Sequence, residues 1–420
     1  MSEHSMTALI AAAQDREGND PIFALNTEAF ARVAAGESIL NATMGSLAHD
    51  ESGLAVMPSV TEAIAAVSPQ QAAGYSLIAG SPPYVEAVKR DLFGDTELYD
   101  QSVAVATPGG SGAVYNAILN FVEEGHSALT TEYFWGPYPI IAKHLGRGID
   151  TFRMFSPDGR LDFDAMQAAI DEQIEKQGRV LLILNFPCHN PTGYSLDTQE
   201  WQAAAEMVRE AGARAAVACL LDIAYHRFGG PDADEWLDVV PTMLETATVI
   251  IAWTASKSFC QYGARVGALV ALHREESERE KLLNALAYTC RATWSNSNHL
   301  GQLAVTELLT NPELKARADA ERQELVDLLQ QRVEVFNAAA SVAELDVPRY
   351  EGGFFVAVFS PNGHVTAATM RDMGVYVIPM DTAVRVALCA TSVQQVPRLI
   401  EALRAGVDAA ETHEAAGAAT

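Results

Sequence analysis

One lysine of this chain lies in a position where its amine could react. Lys257 follows the apolar run TVIIAWTAS and precedes a second apolar run, VGALVAL. An ammonium group at the end of a buried strand loses hydration, so burial lowers its pKa and favours the neutral amine. A neutral lysine amine can form an imine with an aldehyde. Because a lysine at a strand end can also simply extend its charge into water, the neighbouring residues decide between the two interpretations.

Polar residues at the ends of two earlier apolar runs favour the chemical interpretation. AAVACLL ends just before Asp222, and Tyr225 follows three residues later. Ligands of parallel α/β sheets bind beyond the carboxyl ends of the strands, where Asp222 and Lys257 would both lie. A carboxylate there can pair with a protonated ring nitrogen and keep the ring an electron sink, and Tyr225 can donate to an oxygen of that ring. The run RVLLILNF leads into PCHNPTG, a turn that restrains the Asn190 side chain.

A segment of small residues further upstream is suited to an anion. In PGGSGAVYNAI, Gly110 and Ser111 open a predicted helix, and the N–H groups at a helix start attract phosphate. Arg265 can donate to two phosphate oxygens at once, and Thr254 adds a hydroxyl group. Trp135, in YFWGPY, can offer a flat face to an aromatic ring, although a tryptophan of the core would fit the sequence equally well.

The elements that must position these residues follow an α/β pattern. Between Ser102 and Leu272, short apolar runs alternate with amphipathic segments, which predicts a mostly parallel sheet flanked by helices. Past Pro312, a long amphipathic helix, strand-like runs and a final helix predict a smaller α+β unit. We expect an N-terminal arm (1–49) that belongs to this small unit, a large domain (50–310) and a C-terminal small domain (311–420), whose tail ETHEAAGAAT is predicted to be disordered.

The composition narrows the class of protein. The 420 residues carry a formal charge of −26, which argues against nucleic acid and against anionic membrane surfaces. No apolar run approaches the ~20 residues of a membrane-spanning helix, and the N-terminus does not resemble a secretory signal. The five cysteines are scattered without a CxxC pair, which indicates reduced thiols and no metal site. We therefore expect a soluble cytoplasmic protein.

Eight segments together resemble a known family, in order and with similar spacing over nearly the whole chain. The sequence resembles the fold-type I enzymes of pyridoxal 5'-phosphate (PLP), and within them the class I aminotransferases of the aspartate/aromatic subgroup. This resemblance implies an enzyme that passes the amino group of an aromatic or dicarboxylic L-amino acid to a 2-oxo acid such as 2-oxoglutarate by a ping-pong mechanism. The segments are DPIFAL, GYSLIAG, TPGGSGA, CHNPTG, LDIAY, TASKSF with ARVG, CRATWSN and VRVAL.

The resemblance also implies roles at the cofactor. Lys257 looks like the Schiff-base lysine, which also moves the proton at the substrate Cα, and Asp222 would pair with the pyridinium nitrogen. Asn190 and Tyr225 would contact the phenolic oxygen, and Trp135 would stack on the ring. The residues implied to hold the phosphate are Gly110, Ser111, Thr254 and Arg265.

Roles at the substrate follow from the same resemblance. Arg385, in VRVAL, matches the arginine that binds the α-carboxylate with two hydrogen bonds. Arg291 is similar to the arginine that recognises an Asp or Glu side chain from the neighbouring subunit and that swings aside for aromatic substrates. Tyr75 resembles a catalytic-site tyrosine that reaches the phosphate, also from the neighbouring subunit, so both roles require a homodimer with shared active sites. The other implied substrate contacts are Gly45, Trp135 and Asn190.

Three departures from the family pattern concern the substrate. Tyr138 stands where a histidine usually supports the ring-bound carboxylate, and Val384 precedes Arg385 where glycine or serine is common. Ser297 and Asn298 replace the usual prolines. These differences leave the PLP assignment intact but put aspartate specificity in question.

Other functions compete with amino transfer. PLP lyases, decarboxylases and racemases share the fold, and the geometry at Cα decides which bond breaks. Retention of both arginines favours transamination, because the enzyme must accept an amino donor and 2-oxoglutarate alike. A PLP-binding regulator without turnover would usually carry a DNA-binding domain, and no basic segment precedes Asp20. A nucleotide-binding protein without PLP would leave Lys257, Asp222 and Asn190 unexplained together.

Overall fold

A computed structural model of the chain describes residues 7–14, 16, 18, 21–50, 53–230 and 233–418. Its strands are β1 (Leu40–Asn41), β2 (Ala48–His49), β3 (Gly53–Leu54), β4 (Ser102–Thr107), β5 (Ser127–Thr131), β6 (Gly148–Phe152), β7 (Arg179–Leu184), β8 (Ala216–Asp222), β9 (Thr248–Thr254), β10 (Gly267–Leu272), β11 (Phe355–Phe359), β12 (Val375–Tyr376), β13 (Ile378–Pro379) and β14 (Ala383–Ala387). Its helices are α1 (Ala11–Gln14), α2 (Pro21–Ala34), α3 (Pro58–Ala66), α4 (Pro69–Ala73), α5 (Pro82–Phe93), α6 (Glu97–Asp100), α7 (Gly109–Phe121), α8 (Pro137–His144), α9 (Phe163–Gln177), α10 (Thr198–Gly212), α11 (Trp236–Met243), α12 (Ala255–Ser258), α13 (Glu276–Thr293), α14 (His299–Thr310), α15 (Pro312–Val342), α16 (Gly363–Asp372) and α17 (Val396–Ala418).

A sheet of seven strands forms the centre of the described part of the chain. The strand order is β4-β10-β9-β8-β7-β5-β6. The strand β10 runs antiparallel to both of its neighbours, and the remaining pairs are parallel, which confirms the predicted mostly parallel sheet. Six of the strands lie in the predicted apolar runs. The sequence does not predict β6, because this partly exposed edge strand reads GIDTF and lacks a continuous apolar run.

Helices and apolar side chains cover both faces of this sheet. On β7, Leu181 and Ile183 pack with residues of α7, α8 and α13, whereas Leu182 and Leu184 pack on the other face with residues of α9, α10 and α11. A strand buried on both faces needs apolar residues at every position, which explains the uninterrupted run RVLLIL. Among the described helices, none combines the length and the apolar character that spanning a membrane requires.

A smaller unit is built from the C-terminal elements and the N-terminal segment. The strands β11, β14 and β13 form an antiparallel sheet, and β1 pairs in parallel with β12, with Leu40 opposite Val375. Residues 411–418 continue α17 as helix, although the sequence predicts a disordered tail. Alanine and glutamate are strong helix formers, so a helix already nucleated upstream extends through them. The proposed domain limits, 1–49, 50–310 and 311–420, stay a prediction.

The turn after β7 joins the central sheet to this smaller unit. The carbonyl oxygen of Thr192 accepts a hydrogen bond from the N–H of Ala357, in β11, at 3.3 Å. Gly193 has a φ of +78°. A Cβ atom at Gly193 would lie 2.5 Å from a ring carbon of Tyr350 and would also collide with the carbonyl oxygen of Phe355. Only glycine therefore permits this close approach.

We expect Gly193→Ala to lower the free energy of unfolding by about 2–4 kcal/mol, because it combines overpacking with a left-handed backbone. Gly178→Ala is the matched control: Gly178 has a φ of +69°, but nothing lies within 4 Å of its Cβ position. The control isolates the backbone effect, which costs about 1–2 kcal/mol. Urea unfolding of both variants measures the difference, and equal losses would contradict the role of the contact with Tyr350.

Candidate active site

A cavity of about 560 Å³ lies at the carboxyl ends of β4, β7, β8 and β9. The smaller unit closes its other side, through β14 and the segment after β1. Most of the residues singled out in the sequence meet there. Those that line the cavity are Gly45, Gly110, Ser111, Trp135, Asn190, Asp222, Tyr225, Thr254, Lys257, Arg265 and Arg385.

Lys257 lies in α12, a short helix that begins directly after β9. The Thr254 hydroxyl accepts a hydrogen bond from the N–H of Ser256 at 3.1 Å and so starts the helical turn. Lys257 Nζ donates to the carbonyl oxygen of Gly45 at 2.7 Å and lies 4.6 Å from the centre of the Tyr262 ring. Burial lowers the pKa of Lys257 from 10.5 to about 8. A substantial fraction of this amine is therefore neutral near physiological pH.

Asp222 ends β8 and is almost completely buried. The Tyr138 hydroxyl donates to its Oδ2 at 2.7 Å. Burial raises the pKa of Asp222 to about 6, although the hydrogen bond from Tyr138 opposes that rise. Asn185 donates from Nδ2 to the carbonyl oxygen of Asp222 at 2.8 Å, and its Oδ1 accepts from the N–H of Asn190 at 2.8 Å. Asn185 thus ties the ends of two neighbouring strands together.

Arg385 reaches the cavity from β14, in the smaller unit. Its Nη2 donates to the carbonyl oxygen of Thr43 at 2.9 Å, and its Nη1 donates to Asn190 Oδ1 at 3.4 Å. The guanidinium carbon lies 4.2 Å from the centre of the Phe355 ring. Asn190 Nδ2 in turn donates to the Tyr225 hydroxyl at 3.4 Å. These contacts orient a planar cation toward the cavity, where it can bind a carboxylate with two hydrogen bonds.

Arg265 and the start of α7 form a corner of the cavity whose donors suit an anion. Arg265 Nη2 donates to the carbonyl oxygen of Pro108 at 3.2 Å and to Ser111 Oγ at 3.4 Å. Its Nη1 donates to Ser256 Oγ at 3.4 Å. Gly109 has a φ of +72°, and a Cβ atom there would lie 2.8 Å from the guanidinium carbon of Arg265. Glycine therefore lets the arginine close over the helix N-terminus.

This set of groups fits the cofactor that the sequence resemblance implies. Helix N–H groups, hydroxyls and a guanidinium suit a phosphate. The partly neutral amine of Lys257 suits an aldehyde, and the carboxylate of Asp222 suits a protonated ring nitrogen. Within the described residues, no group of His, Cys, Asp or Glu side chains is arranged to hold a metal ion.

Tyr75 and Arg291 do not line the cavity of their own chain. Tyr75 is 92% exposed, and Arg291 lies on α13, where its Nη1 donates to Ser295 Oγ at 2.6 Å. Their roles in a neighbouring subunit's site stay predictions.

Several lining residues escaped the sequence reasoning. They include Thr43, Asn185, Tyr262 and Phe355. Asn185 directly follows the apolar run RVLLIL, so a polar residue at the carboxyl end of a strand is the available signal. Thr43 and Phe355 act through contacts with Arg385 that sequence spacing does not reveal.

The chain matches the family model "Aminotransferase class I and II" over residues 38–403. It is 30% identical to an aromatic-amino-acid aminotransferase of Paracoccus denitrificans over 58% of this chain and 60% of that protein. It is 26% identical to a tyrosine aminotransferase of Klebsiella pneumoniae over 93% of this chain and 98% of that protein. Among solved structures, an aminotransferase from Anaerococcus prevotii superimposes with a TM-score of 0.89 at 30% identity and covers 95% of this chain and 99% of its own. The alignment with the Paracoccus relative thus spans less than two thirds of that protein's length.

We expect acetic anhydride to label Lys257 of the cofactor-free protein with a half-maximal rate near pH 8, because only the neutral amine reacts and burial lowers its pKa. Competitive labelling followed by peptide mass spectrometry measures this titration. Lys281, whose side chain is 71% exposed, serves as the internal reference that corrects for the amount of active reagent in each sample. A Lys257 titration near the ordinary value of 10.5 would contradict the buried environment.

Proposed function

The chain belongs to the class I and II aminotransferases, and from this premise we propose that it is a PLP-dependent enzyme that moves the amino group of an L-amino acid to a 2-oxo acid. The observation that carries the proposal is the meeting of Lys257, Asp222 and Arg385 in one cavity. A buried amine, a buried carboxylate and an oriented guanidinium supply the three contacts that this chemistry needs. One solved relative by fold, an aromatic-amino-acid aminotransferase of Burkholderia pseudomallei, is described as covalently bound to pyridoxal phosphate.

Different residues of the cavity would contact different parts of the cofactor. Arg265, Ser111 and the N–H groups at the start of α7 would hold the phosphate, and Trp135 would cover one face of the ring. Asn190 and Tyr225, which share a hydrogen bond, would contact the phenolic oxygen. When bound, PLP supplies the electron sink that makes the bonds at the substrate Cα labile.

The chain's own groups then determine which bond reacts. Arg385 binds the α-carboxylate and, held against the face of Phe355, limits how the substrate can rotate about Cα. Lys257, with a pKa near 8, can take the proton from Cα at near-neutral pH and return it. Proton transfer by a positioned base, without loss of the carboxylate, is the requirement of amino transfer.

We propose that aromatic and other large apolar L-amino acids are the preferred amino donors. Phe23, Met44 and Leu54 line the cavity and offer apolar surface to a substrate side chain. The names of the Paracoccus and Klebsiella relatives agree with this choice. For 2-oxoglutarate, the proposal relies on Arg291 of a second copy.

The proposal therefore includes a homodimer and a cytoplasmic location. Exposed apolar side chains on the described surface, among them Tyr75, Ile140 and Tyr288, support an interface with a second copy. All five cysteines are free and buried, which agrees with a reducing compartment.

The direct test is a single-turnover measurement on the PLP-loaded protein. We expect L-phenylalanine, added without an oxo acid, to convert the absorbance of the lysine-bound cofactor, and 2-oxoglutarate to restore it. The Lys257→Ala variant should do neither. Cofactor absorbance that no L-amino acid converts would refute amino transfer and leave a lyase, decarboxylase or racemase. A protein without cofactor absorbance even after added PLP would refute the assignment altogether.

Two arginine variants separate carboxylate recognition at the two ends of the substrate. We expect Arg385→Lys to lower kcat/KM for phenylalanine and aspartate alike, by about 30-fold or more, because lysine keeps the charge but loses the bidentate geometry. Arg291→Ala should lower kcat/KM for aspartate by about tenfold or more and change phenylalanine little. Steady-state kinetics with both donors provide the measurement. Equal losses for both donors in Arg291→Ala would show that this arginine is structural.

A further inference from the structure

The position of Arg385 depends on a backbone carbonyl outside its own sheet. The Thr43 carbonyl oxygen accepts from Arg385 Nη2 at 2.9 Å. Thr43 is fully buried and follows β1 by two residues. A contact that restrains Thr43 therefore also restrains one of the acceptors that orient the guanidinium of Arg385.

The side chain of Asn41 holds Thr43 by its hydroxyl and its N–H, and Asn26 in turn holds Asn41. The hydroxyl of Thr43 donates to Asn41 Oδ1 at 2.6 Å, and the N–H of Thr43 donates to the same oxygen at 3.2 Å. Asn41 Nδ2 donates to Asn26 Oδ1 at 2.7 Å. Each end of the Asn41 amide is thus committed, its oxygen to Thr43 and its nitrogen to Asn26.

Asn26 belongs to α2, which the smaller unit holds in place by a separate set of contacts. Glu28 accepts two hydrogen bonds from Arg371, at 2.7 and 2.6 Å, and a third from the Tyr376 hydroxyl at 2.7 Å. Arg32 donates to the same hydroxyl at 3.0 Å. The same helix carries Phe23, which lines the cavity. The helix at the mouth of the cavity and the cation within it are therefore joined by one continuous series of hydrogen bonds.

We propose that Asn26, Asn41 and Thr43 form a positioning relay that orients Arg385 for the substrate carboxylate and couples this orientation to the docking of α2. The inference rests on the proposed function, because it assigns the carboxylate to Arg385. None of the three side chains takes part in proton transfer; they act through Arg385. A carboxylate ligand that requires the oriented guanidinium then stabilises the docked helix, and the docked helix raises affinity for the ligand by the same factor.

The test compares Thr43→Val, which removes the hydroxyl, with Thr43→Ser, which keeps it. Isothermal titration calorimetry of the PLP-loaded protein with 3-phenylpropionate, a carboxylic acid without an amino group to react, gives the Kd. We expect Thr43→Val to weaken binding about three- to tenfold, as the loss of one hydrogen bond does, and Thr43→Ser to bind like the parent protein. Thr366→Val is the matched control, since Thr366 is equally buried and its hydroxyl is also hydrogen-bonded, to Ser360 and Gly406.

A double variant distinguishes a relay from three independent contacts. We expect Asn26→Leu to weaken binding by itself but to add less in the Thr43→Val background, because that variant has already lost the hydroxyl donor to Asn41 Oδ1 and keeps only the longer contact from the N–H of Thr43, at 3.2 Å. Additive losses would overturn the relay, and so would a Thr43→Ser variant as weak as Thr43→Val.

A second readout needs neither ligand nor turnover. Phenylglyoxal should label Arg385 faster in Thr43→Val than in Thr43→Ser, as followed by peptide mass spectrometry. If the parent protein failed to bind 3-phenylpropionate, the proposed substrate class would fail, and the labelling rates would still decide the relay. Equal rates in the two variants would refute it, while amino transfer by the parent protein would leave the proposed function standing.

Discussion

Burial of the Lys257 amine is the constraint on which the rest of the cavity depends. An ammonium group removed from water is costly unless protein groups replace its hydration. Here the replacement is the carbonyl oxygen of Gly45 and the face of the Tyr262 ring. Gly45 lies in the segment after β1, which pairs with β12 of the smaller unit, and not in the central sheet. The central sheet alone therefore cannot complete the site. The segment after β1 must pack against it before the amine of Lys257 has its hydrogen-bond acceptor.

The cavity also reverses the charge balance of the chain. The protein carries a formal charge of −26, yet the ionisable cations and carboxylates that line the cavity in the described part of the chain are Lys257, Arg265, Arg385 and Asp222. Three cationic groups and one carboxylate focus a positive potential inside an acidic molecule. Such a pocket suits two separate anionic groups, the cofactor phosphate that we propose for Arg265 and the substrate carboxylate that we propose for Arg385. Asp222, as a carboxylate, suits the cationic ring nitrogen of the proposed cofactor.

The sequence predicts the groups that end strands better than the contacts between distant segments. Asp222 and Lys257 follow uninterrupted apolar runs, and the rule that ligands bind at carboxyl ends of strands brings them together. The edge strand β6 escapes prediction, because an edge needs no continuous apolar run. The carbonyl of Thr43 at Arg385 and that of Gly45 at Lys257 escape for another reason: backbone groups of any residue could serve, so residue type carries no signal. The roles of Tyr75 and Arg291 depend on a second copy, which one chain does not contain.

The hydroxyl of Tyr138 is the side-chain hydrogen-bond partner of Asp222 in the described part of the chain. A histidine beside a carboxylate titrates near neutral pH, so its hydrogen bond and its charge change together over the working range. Burial raises the pKa of Tyr138 well above 10, so its hydroxyl remains a neutral donor. The carboxyl group of Asp222, with a pKa of about 6, is half ionised at that pH and mostly ionised a unit above it, where the Tyr138 hydroxyl still donates to it at 2.7 Å. On the alkaline side of that pKa, Asp222 therefore keeps a partner that stays neutral, and among the cavity groups the pKa of Lys257, about 8, marks the next change of charge.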